Sequence, residues 1–150
     1  MLLYYGSNKT VPTPEINKTR GAKDFSWGFY CTTNEKQAER RARSHGAYGV
    51  INVYECTLHA LRVKNFPEMS DEWLDFVVSC RLGGTHTFDV ITGPIADDTI
   101  FNSMQNFIDG EISRTAFWKL VQPYCPIRQI SFHTDAALKC LCFQRRYQIG

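Results

Sequence analysis

Six cysteines and four histidines are the most reactive side chains in the chain. The cysteines stand at Cys31, Cys56, Cys80, Cys125, Cys140 and Cys142, with no Cys-x-x-Cys pair and no Cys/His pair at the short spacings structural zinc uses. They read as reduced, partly buried thiols, and no metal site is expected. No local signature joins a cysteine to a histidine for thiol catalysis, and His133, at a strand end beside a helix cap, reads as structural before catalytic. A glycine-rich phosphate loop, a His-Glu-x-x-His pair and a Gly-x-Ser-x-Gly elbow are all missing, so hydrolase readings by motif fail. What remains lies in three separated segments: Tyr4-Tyr5-Gly6-Ser7, Gly28-Phe29-Tyr30, and a late strand opening with Gln129. Tyrosine offers an aromatic face with a hydroxyl, glutamine an uncharged donor and acceptor, and glycine a backbone that can be approached closely.

The elements that must position these groups follow from pattern. Residues 2–5 form a short apolar and aromatic run suited to a buried strand, followed at 6–23 by a long loop punctuated by Pro12, Pro14 and Gly21. A connection of that length is more often functional than ordinary. Asn34, with Gln37 three residues on as a capping-box partner, starts a helix. It buries Ala38 and Ala42, turns its arginines outward, and ends near His45-Gly46. Residues 50–55 and 58–63 read as strands. Ser70 caps a helix through Trp73, Leu74, Phe76 and Val77, with Asp71 and Glu72 in its first turn. A strand at 87–92 is expected to break at Gly93-Pro94. Asp97 or Asp98 then caps a helix carrying Ile100, Phe101, Met104, Phe107 and Ile108, and positioning of an acceptor is the lesser reading of that pair. Gly110 ends it, Ser113 caps the next helix with Phe117, Leu120 and Val121, and Pro123 and Pro126 close that one. Residues 128–134 alternate as a strand ending at the cap Thr134, a short helix covers 135–138, and a last strand covers 139–147. Strands and helices alternate irregularly, which favours α+β over a doubly wound sheet.

At 150 residues, 43% apolar, 13% aromatic and 21% charged, the chain has the profile of a single globular domain over 1–150. That length buries enough surface to hold a core without staples. Seventeen basic against fifteen acidic residues leave a formal charge of +2, too small for a bulk polyanion binder. The dense basic run Arg40, Arg41 and Arg43 and the pair Arg145-Arg146 read as solvated faces, with local contact to a charged partner as the other use. The N-terminus turns polar after Tyr5, so neither a signal peptide nor a membrane span is expected, and the location is read as cytoplasmic. The sequons at Asn8 and Asn17 are then chance matches.

Five motifs, in order along the chain, carry a resemblance. They are Tyr4-Tyr5-Gly6-Ser7-Asn8-Lys9, then Asp24-Phe25-Ser26-Trp27-Gly28-Phe29-Tyr30-Cys31-Thr32-Thr33, then Trp73-Leu74-Asp75-Phe76-Val77. Gly93-Pro94-Ile95-Ala96-Asp97-Asp98 and Gln129-Ile130-Ser131-Phe132-His133-Thr134 complete the set. The chain resembles a bacterial family known as domain of unknown function 3990, and through it the ADP-ribosyltransferases. The resemblance implies an ADP-ribosyltransferase-like α+β fold, with two packed β-sheets around a cleft for NAD and flanking helices. It implies a mono-ADP-ribosyltransferase with NAD as co-substrate, modifying a protein or nucleic-acid acceptor. An intracellular bacterial toxin or toxin–antitoxin effector fits that activity, with an antitoxin or immunity protein as the neutralising partner.

The resemblance also places catalytic roles on Tyr5, Tyr30 and Gln129, where the wider superfamily carries His-Tyr-Glu or Arg-Ser-Glu. Two of the three positions therefore depart from the commoner trio. Breaking the nicotinamide–ribose bond builds positive charge on the ribose, as in glycoside hydrolysis. Gly6 would let the nicotinamide amide reach the backbone, and Tyr30 would offer a face to the ring. Tyr5 would donate to a ribose hydroxyl, and Ser7 and Phe29 complete the cofactor-binding set. Gln129 can bond a 2′-hydroxyl but brings no negative charge and is a poor general base. Single transfer to an acceptor that is already nucleophilic is the activity most consistent with it. Two other readings stay open: an inactive NAD or ADP-ribose binding module, and an NAD glycohydrolase. Each residue also has a plain alternative: Tyr5 and Tyr30 as core aromatics, Gln129 as an edge-strand polar residue.

Overall fold

A computed structural model describes residues 1–18, 24–44, 46, 48–96 and 98–150. The elements run β1 (Leu2–Ser7), β2 (Phe29–Cys31), α1 (Glu35–Arg43), β3 (Gly49–Cys56), β4 (Val63–Asn65), α2 (Asp71–Arg81) and β5 (Val90–Ile95). They continue with α3 (Asp98–Ile108), α4 (Arg114–Val121), β6 (Ile127–Phe132), α5 (Asp135–Leu138) and β7 (Leu141–Ile149). The architecture is α+β with two sheets, one of order β1-β3-β7 and one of order β2-β6-β5-β4. All pairings are antiparallel except β4 with β5. One isolated bridge, Tyr4 to Thr32, links the sheets through paired backbone hydrogen bonds of 2.8 and 3.0 Å.

The period-2 alternation of the strands sorts the core into layers. Leu3, Tyr54, Phe29, Ile130 and Phe132 meet in one cluster that draws on both sheets. On the other side of β3, Ile51 and Val53 receive Ala38 and Ala42 of α1. A third cluster joins Ile91 of β5 to Trp73, Leu74 and Val77 of α2, Ile100 and Met104 of α3, and Phe117 and Val121 of α4. The Trp73 indole N–H in this layer donates to the Pro94 carbonyl at 2.7 Å. Among the described residues no helix is long and apolar enough to cross a membrane.

The caps form where side-chain type and position demand them. Asn34, Ser70, Ser113 and Thr134 each accept the N–H three residues on, satisfying donors a helix start leaves open. Gln37 does not close a capping box. Its amide oxygen accepts from the Thr32 hydroxyl at 2.8 Å, and Thr32 in turn accepts the Asn34 N–H at 3.0 Å. Gly110 ends α3 at φ 77, a left-handed value glycine adopts without strain. In α3 Asp98 is the first helical residue, not its cap; Asp97, like His45 at the expected end of α1, lies outside the described residues.

Two segments and two side chains differ from the sequence expectation. Residues 58–63 are no strand: Ala60 sits at φ 56, and regular pairing begins only at Val63. The strand expected at 87–92 runs 90–95 and contains Gly93 and Pro94. Proline is tolerated because β4 ends opposite Thr92, leaving the rest of β5 paired on one side only. Leu120 and Phe101, expected inside, are exposed. The long loop after β1 is pinned from below by Asn52, fully buried in β3, which bonds the Lys9 carbonyl and the Val11 N–H, and by Tyr54, which donates to the Val11 carbonyl. Gly21 and Lys23 of that loop lie outside the described residues.

Gly6 is where α1 and β1 come closest. A Cβ there would stand 2.1 Å from the Ala38 carbonyl oxygen. Gly6→Ala is expected to cost about 3 kcal/mol or more through forced separation of helix and strand. Ser113→Ala, which removes one cap, should cost about 1 kcal/mol. Equilibrium urea unfolding of the two variants beside the parent measures both; equal small costs would contradict the packing account.

Candidate functional site

The turn at 24–28 is held at every residue. The Asp24 carboxylate, 7% exposed, takes two bonds from Arg81 and one from the Ala96 N–H. Phe25 is fully buried in the helical layer. Its N–H donates to the Tyr30 hydroxyl at 3.0 Å, and that hydroxyl donates to the Ser26 carbonyl at 2.6 Å. Ser26 itself sits at φ 74, a conformation that non-glycine residues hold only when neighbours impose it. The Trp27 carbonyl faces His133 Nδ1 at 2.7 Å, and the Gly28 carbonyl accepts the Asn17 N–H at 3.2 Å. Gly28 has no room for a side chain, since a Cβ would meet the His133 ring and the Phe132 carbonyl at 2.8 Å.

Beside this turn opens a cleft of about 490 Å³, within the roughly 300–1,000 Å³ usual for ligand sites. Tyr4, Tyr5 and Gly6 of β1 line it, with Phe29 and Tyr30 of β2 and Gln129 of β6. Gln37, Arg40 and Arg41 form the α1 side, and Asp24, Arg81 and Phe101 also line the cleft. The cleft thus collects Tyr5, Gly6, Phe29, Tyr30 and Gln129 from three strands far apart in sequence. Ser7 is not among the lining residues; it is buried at the end of β1 opposite Val50.

The polar groups of the cleft fall into two kinds. The Tyr30 hydroxyl is committed to its own turn, and burial drives its acidity far down, so the ring face is what it can present. Gly6 is explained by the approach of α1 whatever else binds there. By contrast, among the described residues the Tyr5 hydroxyl and the Gln129 amide have no hydrogen-bond partner in the protein. The Tyr5 ring lies 4.4 Å from that of Phe29, centroid to centroid, while burial raises its pKa and Arg41 opposes the rise. Cys31, also lining the cleft, is held well above the usual thiol range by burial and is an inert thiol. All six cysteines are free, and among the described residues no group of histidine, cysteine and carboxylate side chains is arranged to hold a metal.

His133 and His86 stiffen the site from behind. Their rings meet edge to face at 4.5 Å, and His133 meets Tyr30 the same way at 6.0 Å. Since a carbonyl can only accept, the Trp27 contact places the His133 proton on Nδ1 and leaves Nε2 to accept from the Ser131 hydroxyl at 2.7 Å. His86 holds the opposite tautomer, Nε2–H to the Phe25 carbonyl and Nδ1 accepting the Phe88 N–H. Burial pushes His133 down to about 4 and lowers His86 as well. The structural reading of His133 fits this geometry.

Sequence reasoning missed the ion pair Asp24–Arg81, both side chains under a tenth exposed. Asp24 begins one of the motifs and Arg81 ends α2, but nothing local announces that residues 57 apart meet. Arg81 also lies 4.9 Å from the Phe101 ring centre.

A family model described as "Protein of unknown function (DUF3990)" matches residues 1–143. No curated protein and no solved structure matches the chain.

Two outcomes follow from the buried groups. Arg81→Met leaves the Asp24 carboxylate buried without its charge partner and should cost about 3–5 kcal/mol in urea unfolding; a neutral result would mean the pair is not desolvated. An unfolded histidine titrates near 6.5, well above folded His133. Between those values the unfolded chain binds more protons, so stability falls as pH drops from about 6.5 towards 4. His133→Gln should remove on the order of 2 kcal/mol of that fall, after allowing for partial exposure, and His86, lowered in the same direction, contributes to what remains. Parallel pH–stability curves for parent and variant would contradict it.

Proposed function

This chain belongs to the DUF3990 family, and from that premise we propose that it is a mono-ADP-ribosyltransferase using NAD to modify a macromolecular acceptor, protein or nucleic acid. The observation that carries the reading is the meeting of Tyr5, Gly6, Phe29, Tyr30 and Gln129 in one cleft, with the Tyr5 hydroxyl and the Gln129 amide unengaged among the described residues. The motif resemblance to ADP-ribosyltransferases supplies the choice of reaction.

In this reading the bond between ribose C1′ and the pyridinium nitrogen breaks, its electron pair stays with nicotinamide, and nicotinamide leaves neutral. The acceptor nucleophile bonds C1′ and gives up its proton to its own base or to water. The Tyr30 ring packs against nicotinamide, and its immobile hydroxyl keeps that face in place. Gln129 orients the ribose through its 2′-hydroxyl, and Tyr5 donates to a ribose hydroxyl of the cofactor. Orientation is then the main contribution of these residues, because none brings the negative charge that would offset the oxocarbenium. Nucleophilic acceptors suit such a site better than hydroxyls that need a base. A bacterial toxin or toxin–antitoxin effector acting in the cytoplasm, with an antitoxin or immunity protein as partner, belongs to the same proposal. The uncharged Gln129 favours one second reading, an inactive NAD or ADP-ribose binding module.

Incubation of the purified chain with adenylate-labelled NAD and cell lysate should label a macromolecule. Gln129→Ala and Tyr30→Ala should each reduce labelling about 10²-fold or more. Loss of label to protease or to nuclease identifies the acceptor class. Nicotinamide release without any label would make the chain an NAD glycohydrolase, and NAD binding without release or label a binding module. Full activity in both variants would remove Gln129 and Tyr30 from the site.

A further inference from the structure

Helix α1 sorts its charges by side. Glu35 accepts a 2.8 Å bond from the Tyr147 hydroxyl of β7, and Glu39 also acts electrostatically on Tyr147, so both acids belong to the β7 side. The residues of α1 and its C-cap that line the cleft are Gln37, Ala38, Arg40, Arg41 and Ser44, with no acid among them. Arg40 and Arg41 are exposed, and among the described residues neither guanidinium has an ion pair or a hydrogen bond. Among the described residues the other charges lining the cleft, Asp24 and Arg81, neutralise each other.

Two uncompensated cations therefore face a partly enclosed space. The helix macrodipole does not account for them. A helix C-terminus carries roughly half a negative charge, and Arg43, in the same last turn but outside the cleft, already answers it. The field of Arg41 reaches into the cleft far enough to oppose the burial of Tyr5 and of Cys31. Guanidinium forks match phosphoryl oxygens two at a time, and two neighbouring forks match two linked phosphoryl groups in charge and in number of donors.

We infer that Arg40 and Arg41 form an anion subsite on the α1 wall of the cleft, which takes the diphosphate of a nucleotide ligand. The inference rests on the proposed NAD reading and adds the part of the ligand that α1 binds. It fixes a polarity for the cleft: the anionic middle of the dinucleotide lies along α1, and the nicotinamide end lies towards Tyr30 and Gln129.

Calorimetric titration with ADP-ribose, inorganic pyrophosphate, NAD and nicotinamide tests this on the full chain. The double variant Arg40→Gln/Arg41→Gln should bind ADP-ribose and pyrophosphate about ten-fold to a hundred-fold more weakly than the parent, the usual worth of charge-assisted bonds. Affinity of the parent for both should fall with added salt. Arg43→Gln removes the same charge from the same turn outside the cleft and should change either affinity less than about two-fold. All three arginines are exposed, so the variants keep the fold. Equal affinity of parent and double variant, an equal loss in Arg43→Gln, or no binding of either anion by the parent overturns the subsite. If NAD binds parent and double variant alike, the subsite falls and the NAD reading stands. If pyrophosphate binding depends on the two arginines while NAD neither binds nor transfers, the subsite stands and the NAD reading falls.

Discussion

The close approach of α1 to β1 at Gly6 is the constraint around which the cleft is arranged. The helix backbone comes so near the strand that no side chain fits between them, and Ala38 and Ala42 are the small residues that let the helix settle on Ile51 and Val53. With the helix that low, its Gln37, Arg40 and Arg41 side chains reach the space beside β1 rather than passing above it. The Thr32 hydroxyl links the same helix start to β2, since it donates to Gln37 and accepts from Asn34. The position of α1 therefore sets both the width of the cleft and the charge of one wall.

The part of the lining that contains Asp24 and Gly28 is fixed by different means. No regular element runs through 24–28, yet guanidinium, phenol, imidazole and backbone N–H partners between them hold each of its residues. Such a turn keeps its shape without a ladder of its own, and Ser26 can remain in the left-handed region because its neighbours leave it no alternative. Rigid groups thus frame the cleft while, among the described residues, the Tyr5 hydroxyl, the Gln129 amide and the Arg40 and Arg41 guanidiniums stay unengaged along it. That division, with framework bonds spent on position and a few polar groups left open, is the arrangement a preorganised binding site requires.

The parts of the molecule legible in sequence are those decided within a few residues. Asn34, Ser70, Ser113 and Thr134 cap helices because a short side-chain oxygen reaches the third N–H ahead regardless of context. The 58–63 segment misled because its apolar alternation is a strand's, whereas the left-handed Ala60 interrupts it and regular pairing with β5 begins only at Val63. Gly93-Pro94 misled for the converse reason: one side of β5 is unpaired there, and only the sheet order reveals it. Within the cleft, the residues of the three motif segments were legible by type. The Asp24–Arg81 pair and the contribution of α1 were not, because they arise from tertiary placement of charges that look like ordinary surface residues in a one-dimensional reading.

The Asp24 carboxylate joins segments 57 and 72 residues away, at Arg81 and Ala96. Contacts so distant along the chain form only after the intervening segments have collapsed, since the entropy of closing those loops must be met before the bonds return anything. The capped helices need no such closure, whereas the β1–β3–β7 sheet does, joining Leu2 to Glu55 and Cys56 to Leu141. In kinetic terms the Asp24 side of the cleft, like the sheet, waits on long-range closure that the capped helices do not need.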